Sequence, residues 1–221
     1  MKRYLAEAIG TYALVFAGTG AIIVDGVTDG SVSLVGVALV FGLVVMAMIY
    51  ALGDISGAHL NPAVTIAACV AKRFPAQDVG PYIAAQCIGA LAASASLKAI
   101  YPGVTGLGAT MPLDGNVTQS FILEVILTFF LVFVALGVTT AGRAEGILAG
   151  LAIGGTVGLD VFVGGPISGA SMNPARSFGP AVISGQTQHL WMYLAAPVAG
   201  GILAAIVTNC LRSEEPTESS D

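Results

Sequence analysis

Two short stretches of this chain carry residues able both to bind a solute and to exclude one. Ser56-Gly57-Ala58-His59-Leu60 leads into Asn61-Pro62-Ala63, and Ser168-Gly169-Ala170-Ser171-Met172 leads into Asn173-Pro174-Ala175. Asn is a strong helix N-cap and Pro fits the first helical position, where its missing N–H costs nothing, so each tripeptide reads as a helix start. A helix N-terminus carries a partial positive charge of about half a unit, and an Asn amide whose oxygen caps the helix keeps its N–H groups free to donate. Two such ends brought together would repel cations, hydronium included, and offer hydrogen bonds to a neutral, oxygen-bearing molecule. Arg176, three residues after Asn173, adds a permanently charged donor. The approaches at 56–60 and 168–172 would add backbone carbonyls that replace part of a solute's hydration. This is chemistry of recognition and passage, so no catalytic residue is assigned and the chain is read as a non-enzyme.

The elements that must position these residues are membrane spans. Of 221 residues, 56% are hydrophobic and only 10% charged, with 29 glycines and a mean hydropathy of +0.88, too apolar for a solvated surface. About 20 apolar residues cross a bilayer core, and six runs qualify, at 4–24, 32–52, 79–100, 118–139, 145–165 and 189–211. The first follows Lys2-Arg3 but is too long for a cleavable signal and carries Glu7. Six crossings place both termini on one side. Lys2, Arg3, Lys72, Arg73, Arg143 and Arg212 fall on that side, so both termini are expected in the cytoplasm, with the chain in the cell membrane and surrounded by lipid. The net charge of -5 rules against a nucleic-acid partner, since four acidic residues lie in a short polar tail at 213–221. Cys69, Cys87 and Cys210 are scattered, and His59 and His189 share no ligand spacing, so no disulfide, metal or cofactor is expected.

A repeat organises the spans. Glu7-x-x-x-Thr11-x-x-Leu14-Val15-Phe16 aligns with Glu124-x-x-x-Thr128-x-x-Leu131-Val132-Phe133 at an offset of 117, and the two Asn-Pro-Ala frames at an offset of 112. The unit is three spans plus one Asn-Pro-Ala segment, from about 1 to 101 and again from about 118 to 212, in one channel domain at 1–212. Three is odd, so the second copy is inverted. The segment from Asn61 to about Arg73 rises only about 18 Å, half a bilayer, and reads as a re-entrant half-helix whose partner enters from the opposite face. Their N-termini meet near the midplane, where unwound backbone is tolerated only when it lines a cavity or is buried in protein. Lys72-Arg73 is expected to complement the negative end of the first half-helix.

Ser-Gly-Ala-His-Leu-Asn-Pro-Ala-Val-Thr at 56–65 and Asn-Pro-Ala-Arg-Ser-Phe-Gly-Pro at 173–180 resemble the signature loops of the aquaporin, or major intrinsic protein, family, over nearly the whole chain. The resemblance implies an all-α membrane fold of six transmembrane helices and two half-helices in an inverted 3+3 repeat, assembled as a homotetramer with one pore per subunit. It places the outer selectivity filter on Phe41, Val161, Ala170 and Arg176, and gives Glu7, Glu124 and His59 to support of the pore loops. Water channels of the family usually have His at the position of Val161. Glycerol channels usually have an aromatic pair at the positions of Phe41 and Ala170, Gly at that of Val161, and Asp at that of Ser177. The combination here is most similar to archaeal-type aquaporins of intermediate filter, which implies a prokaryotic source and water as the main permeant, with glycerol and other small uncharged solutes passing slowly. A broader glycerol facilitator is the alternative. A coupled secondary transporter also uses inverted repeats and broken helices, but would need an ion site beyond Glu7 and Glu124. Asp160, beside Val161, has no assigned role. Gly146, Gly150, Gly154 and Gly158 form one glycine face for helix packing.

Overall fold

The computed structural model describes residues 1–139 and 142–212, the first six of the latter by backbone alone. The tail at 213–221 and the side chains of Arg143 and Glu145 lie outside the described residues. Regular structure among the described residues is helical: α1 Lys2–Val27, α2 Ser33–Ser56, α3 Pro62–Val70, α4 Ala76–Ile100, α5 Val117–Val138, α6 Gly142–Ser168, α7 Pro174–Ser184 and α8 Leu190–Arg212, with one 3-10 turn at Leu113–Gly115. Six of these are long and apolar enough to cross a membrane, and α3 and α7 are the two short ones.

The half-helix α3 is shorter than the expected 12 residues: it ends at Val70, nine residues or about 14 Å long. By contrast α2 and α6 run to Ser56 and Ser168, past the ends of their apolar stretches. Each stops at a glycine that takes the left-handed conformation, Gly57 at φ +83° and Gly169 at φ +81°. Helix ends here follow the first residue that can turn, and hydropathy gives out earlier.

The packing repeats as the sequence does. Helix α1 packs on α4 and α2, as α5 packs on α8 and α6, while α3 of the first half lies against α8 of the second and α7 against α4. The two halves therefore lock by exchanging their half-helices. A glycine lets backbones touch at equivalent points: a Cβ on Gly89 would overlap the Ala8 carbonyl, and one on Gly200 the Val125 carbonyl. Sidedness is that of a bilayer protein. Leu39, Leu43, Ile88, Phe130 and Leu203 face outward, while Glu7, Gln86, Glu124 and Arg176 are buried at 1% exposure or less.

Candidate pore and its supporting network

Asn61 and Asn173 cap α3 and α7 and join them. The Asn61 Oδ1 accepts from the Ala63 N–H at 2.8 Å, and the Asn173 Oδ1 from the N–H groups of Ala175 and Arg176 at 3.0 and 3.2 Å. Each amide nitrogen then donates across the pseudo-twofold axis, Asn61 Nδ2 to the Met172 carbonyl and Asn173 Nδ2 to the Leu60 carbonyl, both at 2.8 Å. The two positive helix ends are thus held face to face. An amide group has two N–H donors, so this cross-bond takes one from each Asn and leaves one for a solute. The expectation of wholly free amide donors is corrected by that division.

The approach loops take a costly shape. Ala58, Leu60, Ala170 and Met172 all have positive φ, between +40° and +52°, a region that costs non-glycine residues about 1–2 kcal/mol each. Buried carboxylates hold them there. Glu7 accepts from the N–H groups of His59 and Leu60 at 2.9 and 2.7 Å, and from the Ser56 hydroxyl at 2.7 Å. Glu124 accepts from the N–H groups of Ser171 and Met172 and the Ser168 hydroxyl, each at 2.7 Å. Two tyrosines complete the pairing, the Tyr82 hydroxyl donating to the Ser56 carbonyl at 2.9 Å and that of Tyr193 to the Ser168 carbonyl at 2.6 Å. The carbonyls of Ser56, Leu60, Ser168 and Met172 each accept one hydrogen bond within the protein and keep a second lone pair. Gly57, Ala58, His59, Leu60, Ala170, Ser171 and Met172 of the two approach loops line a cavity.

That cavity, of about 600 Å³, runs past both Asn residues to Arg73 and Thr139 at the face that carries Lys2 and Arg212. Its lining combines the polar backbone and amides of the two loops with the apolar side chains of Leu14, Val45, Leu131, Ile153 and Val157. Phe41, Ala170 and Arg176 also line it. Val161 is buried in the same apolar cluster as Phe41 and Ala170 but is not among the lining residues. Arg176 is 1% exposed, donates from Nη1 to the Gly108 carbonyl at 2.8 Å, and lies with Cζ 5.1 Å from the Phe41 ring centroid. Its Nε is buried without a hydrogen-bond partner among the described residues.

Several contacts were not legible beforehand. Gln86 donates to Glu7 at 2.8 Å and to the Thr65 hydroxyl at 3.0 Å, while the His59 Nδ1 lies 3.1 Å from the same hydroxyl. The His59 ring packs against Phe74 and Tyr82, which also contact each other. In the second half Ser171 and Ser177 occupy the equivalent places, and Ser177 bonds Thr110 at 2.7 Å. Arg73 does not complement α3 as expected. Its Nη1 donates to the Leu136 carbonyl at 2.6 Å, near the C-terminus of α5, and Arg212 donates to the Gly137 carbonyl at 2.8 Å. Burial, and then the Arg212 charge, lowers the proton affinity of Arg73 from its ordinary value. Asp160 is buried, with Oδ2 unpartnered among the described residues.

Residues 1–208 match the family model described as Major intrinsic protein. The chain belongs to that family. It is similar to Aquaporin NIP1-1 of Oryza sativa subsp. japonica, 48% identical over 96% of this chain and 75% of that protein, and to Nodulin-26 of Glycine max, 46% identical over 96% and 78%. A solved structure, the aquaglyceroporin from Plasmodium falciparum, superposes with a TM-score of 0.81 and 26% identity, covering 93% of each chain. Members of the family are passive channels and not enzymes. These plant relatives lend no support to the expected archaeal-type placement or to a prokaryotic source.

Proposed function

We propose that the chain is a passive channel conducting water, and more slowly glycerol and other small uncharged solutes, while excluding protons and ions. The observation that carries this reading is the reciprocal pair of Asn cross-bonds, which fixes two positive helix ends head to head inside a continuous cavity. A cation at that point meets like charge from both sides, while a neutral solute meets one free N–H from each Asn. The outer constriction is read as Phe41, Val161, Ala170 and Arg176, and Glu7, Glu124 and His59 as loop braces. Arg176 supplies charge and its unpartnered Nε–H to a passing oxygen. The apolar side chains of Leu14, Val45 and Leu131 favour keeping glycerol among the permeants, since its carbon backbone can lie against them while its hydroxyls face the polar loops.

Single-domain organisation, assembly as a homotetramer, and a place in the plasma membrane with both termini in the cytoplasm complete the proposal. Lys2, Arg3, Arg73 and Arg212 gathered at one face support that orientation. Water and glycerol permeabilities measured side by side in proteoliposomes test the permeant assignment. Water should exceed glycerol, and Val161→His should lower glycerol uptake several-fold more than water; an equal fall in both would remove Val161 from the filter.

A further inference from the structure

Behind Phe41 and Arg176 lies a second layer of contacts in α1. Gly18 lies directly against the Phe41 ring: a Cβ at residue 18 would sit 2.6 Å from Phe41 Cδ1 and closer still to Cε1 and Cζ. The next residue, Thr19, touches the other half of the constriction. A Cβ on Gly108 would lie 2.8 Å from Thr19 Cβ, so the Gly108 loop is seated on Thr19, and the Gly108 carbonyl is the acceptor that holds Arg176. Thr19 is itself fixed by its hydroxyl bond to the Val15 carbonyl at 2.6 Å and is fully buried. Two adjacent residues of one helix thus back both Phe41 and Arg176, which face each other with 5.1 Å between the guanidinium carbon and the ring centroid.

We infer that Gly18 is a specificity-determining positioning residue, whose missing side chain lets the Phe41 ring sit back into α1 and keeps the constriction open to solutes larger than water. A side chain at residue 18 displaces the ring from its seat on α1. Restoring ordinary contact, at about 3.5 Å or more between carbons, requires the nearest ring carbon to retreat from α1 by well over an ångström. Phe41 lines the cavity and lies beside Arg176, so a ring displaced from α1 alters the constriction between them. Interiors this closely packed transmit such a shift and do not absorb it. Thr19 meanwhile keeps Arg176 from yielding, because the loop bearing its acceptor rests on α1 as well. The inference rests on the reading of Phe41 and Arg176 as the constriction.

The test uses full-length protein in proteoliposomes, with water and glycerol permeabilities measured on the wild type, Gly18→Ala, Phe41→Ala and the double variant. Gly18→Ala should lower the glycerol-to-water permeability ratio about tenfold, the size of effect one methyl group has in a tight site. The double variant should return the ratio to that of Phe41→Ala alone. A Gly18→Ala protein that loses water and glycerol in equal proportion overturns the inference, as does a ratio that falls and is not rescued by Phe41→Ala. Failure of Gly18→Ala to insert, with the double variant inserting and conducting, supports it; failure of both overturns it, because the cost of the added methyl group then lies elsewhere than in the ring. If Phe41→Ala itself leaves the ratio unchanged while both proteins conduct, the constriction reading fails first.

Discussion

The two halves of the molecule share a scaffold and differ in what they present to the pore. In each, a buried Glu holds two loop N–H groups and a Ser hydroxyl, a Tyr holds the carbonyl of that Ser, and an Asn caps the half-helix. The lining breaks the likeness. Arg176 has Val64 as its counterpart, and both line the cavity. His59 and Thr65 answer to Ser171 and Ser177, and Gln86, the fourth donor to Glu7, answers to Pro197, which has no side-chain donor. Duplication supplies paired half-helices and loops, and divergence places an arginine in one half where the other has a valine.

Removing the shared part should have the largest effect. Glu7→Ala and Glu124→Ala each strand at least three donors, two of them backbone N–H groups, one of which, on Leu60 or Met172, sits in the left-handed region. Hydrogen bonds to a charged group are worth about 1.5–3 kcal/mol each, so either variant should lose most of its folded yield in detergent, seen by size-exclusion chromatography. Glu7→Ala should fare no better than Glu124→Ala, because Gln86 is stranded with it; a well-folded Glu7→Ala would show that the first loop is held by other means.

Arg176→Val makes the outer half like the inner one at this position. Water flow should persist, and proton conductance, followed with a pH-sensitive dye inside vesicles, should rise by on the order of tenfold as the fixed charge is lost. An unchanged proton conductance would assign exclusion to the facing helix ends alone. Tyr82→Phe and Tyr193→Phe remove one hydrogen bond at equivalent places. Each should cost about 1 kcal/mol and lower the thermal midpoint slightly and alike, by differential scanning fluorimetry. A marked difference between them would show that the two scaffolds are not equivalent.

Much of this was legible in the chain because it was written twice. The Asn-Pro-Ala frames and the paired Glu residues stand at nearly equal offsets, and six apolar runs between them define an inverted repeat. Tyr82 and Tyr193 belong to the same repeat at an offset of 111, but a lone aromatic in an apolar span carries no local signal of a hydrogen-bond partner 26 or 25 residues away. Gln86 carries no repeat signal, because its counterpart is a proline. Sequence proximity points Arg73 to the end of α3, whereas its side chain reaches α5. The support of Arg176 by Gly108 depends on a loop folding back over 68 positions, which no spacing rule predicts. Local chemistry and periodicity read well; contacts made once, across the fold, did not.

The central claim is that two facing helix ends and one arginine pass neutral solutes and stop charge. Stopped-flow light scattering of proteoliposomes under an osmotic gradient, with internal pH recorded in parallel, tests it most directly. Vesicles bearing the protein should shrink well over tenfold faster than empty ones, with proton leak no greater than theirs. Shrinkage at the rate of empty vesicles, or fast shrinkage accompanied by a collapse of the pH gradient, would contradict it.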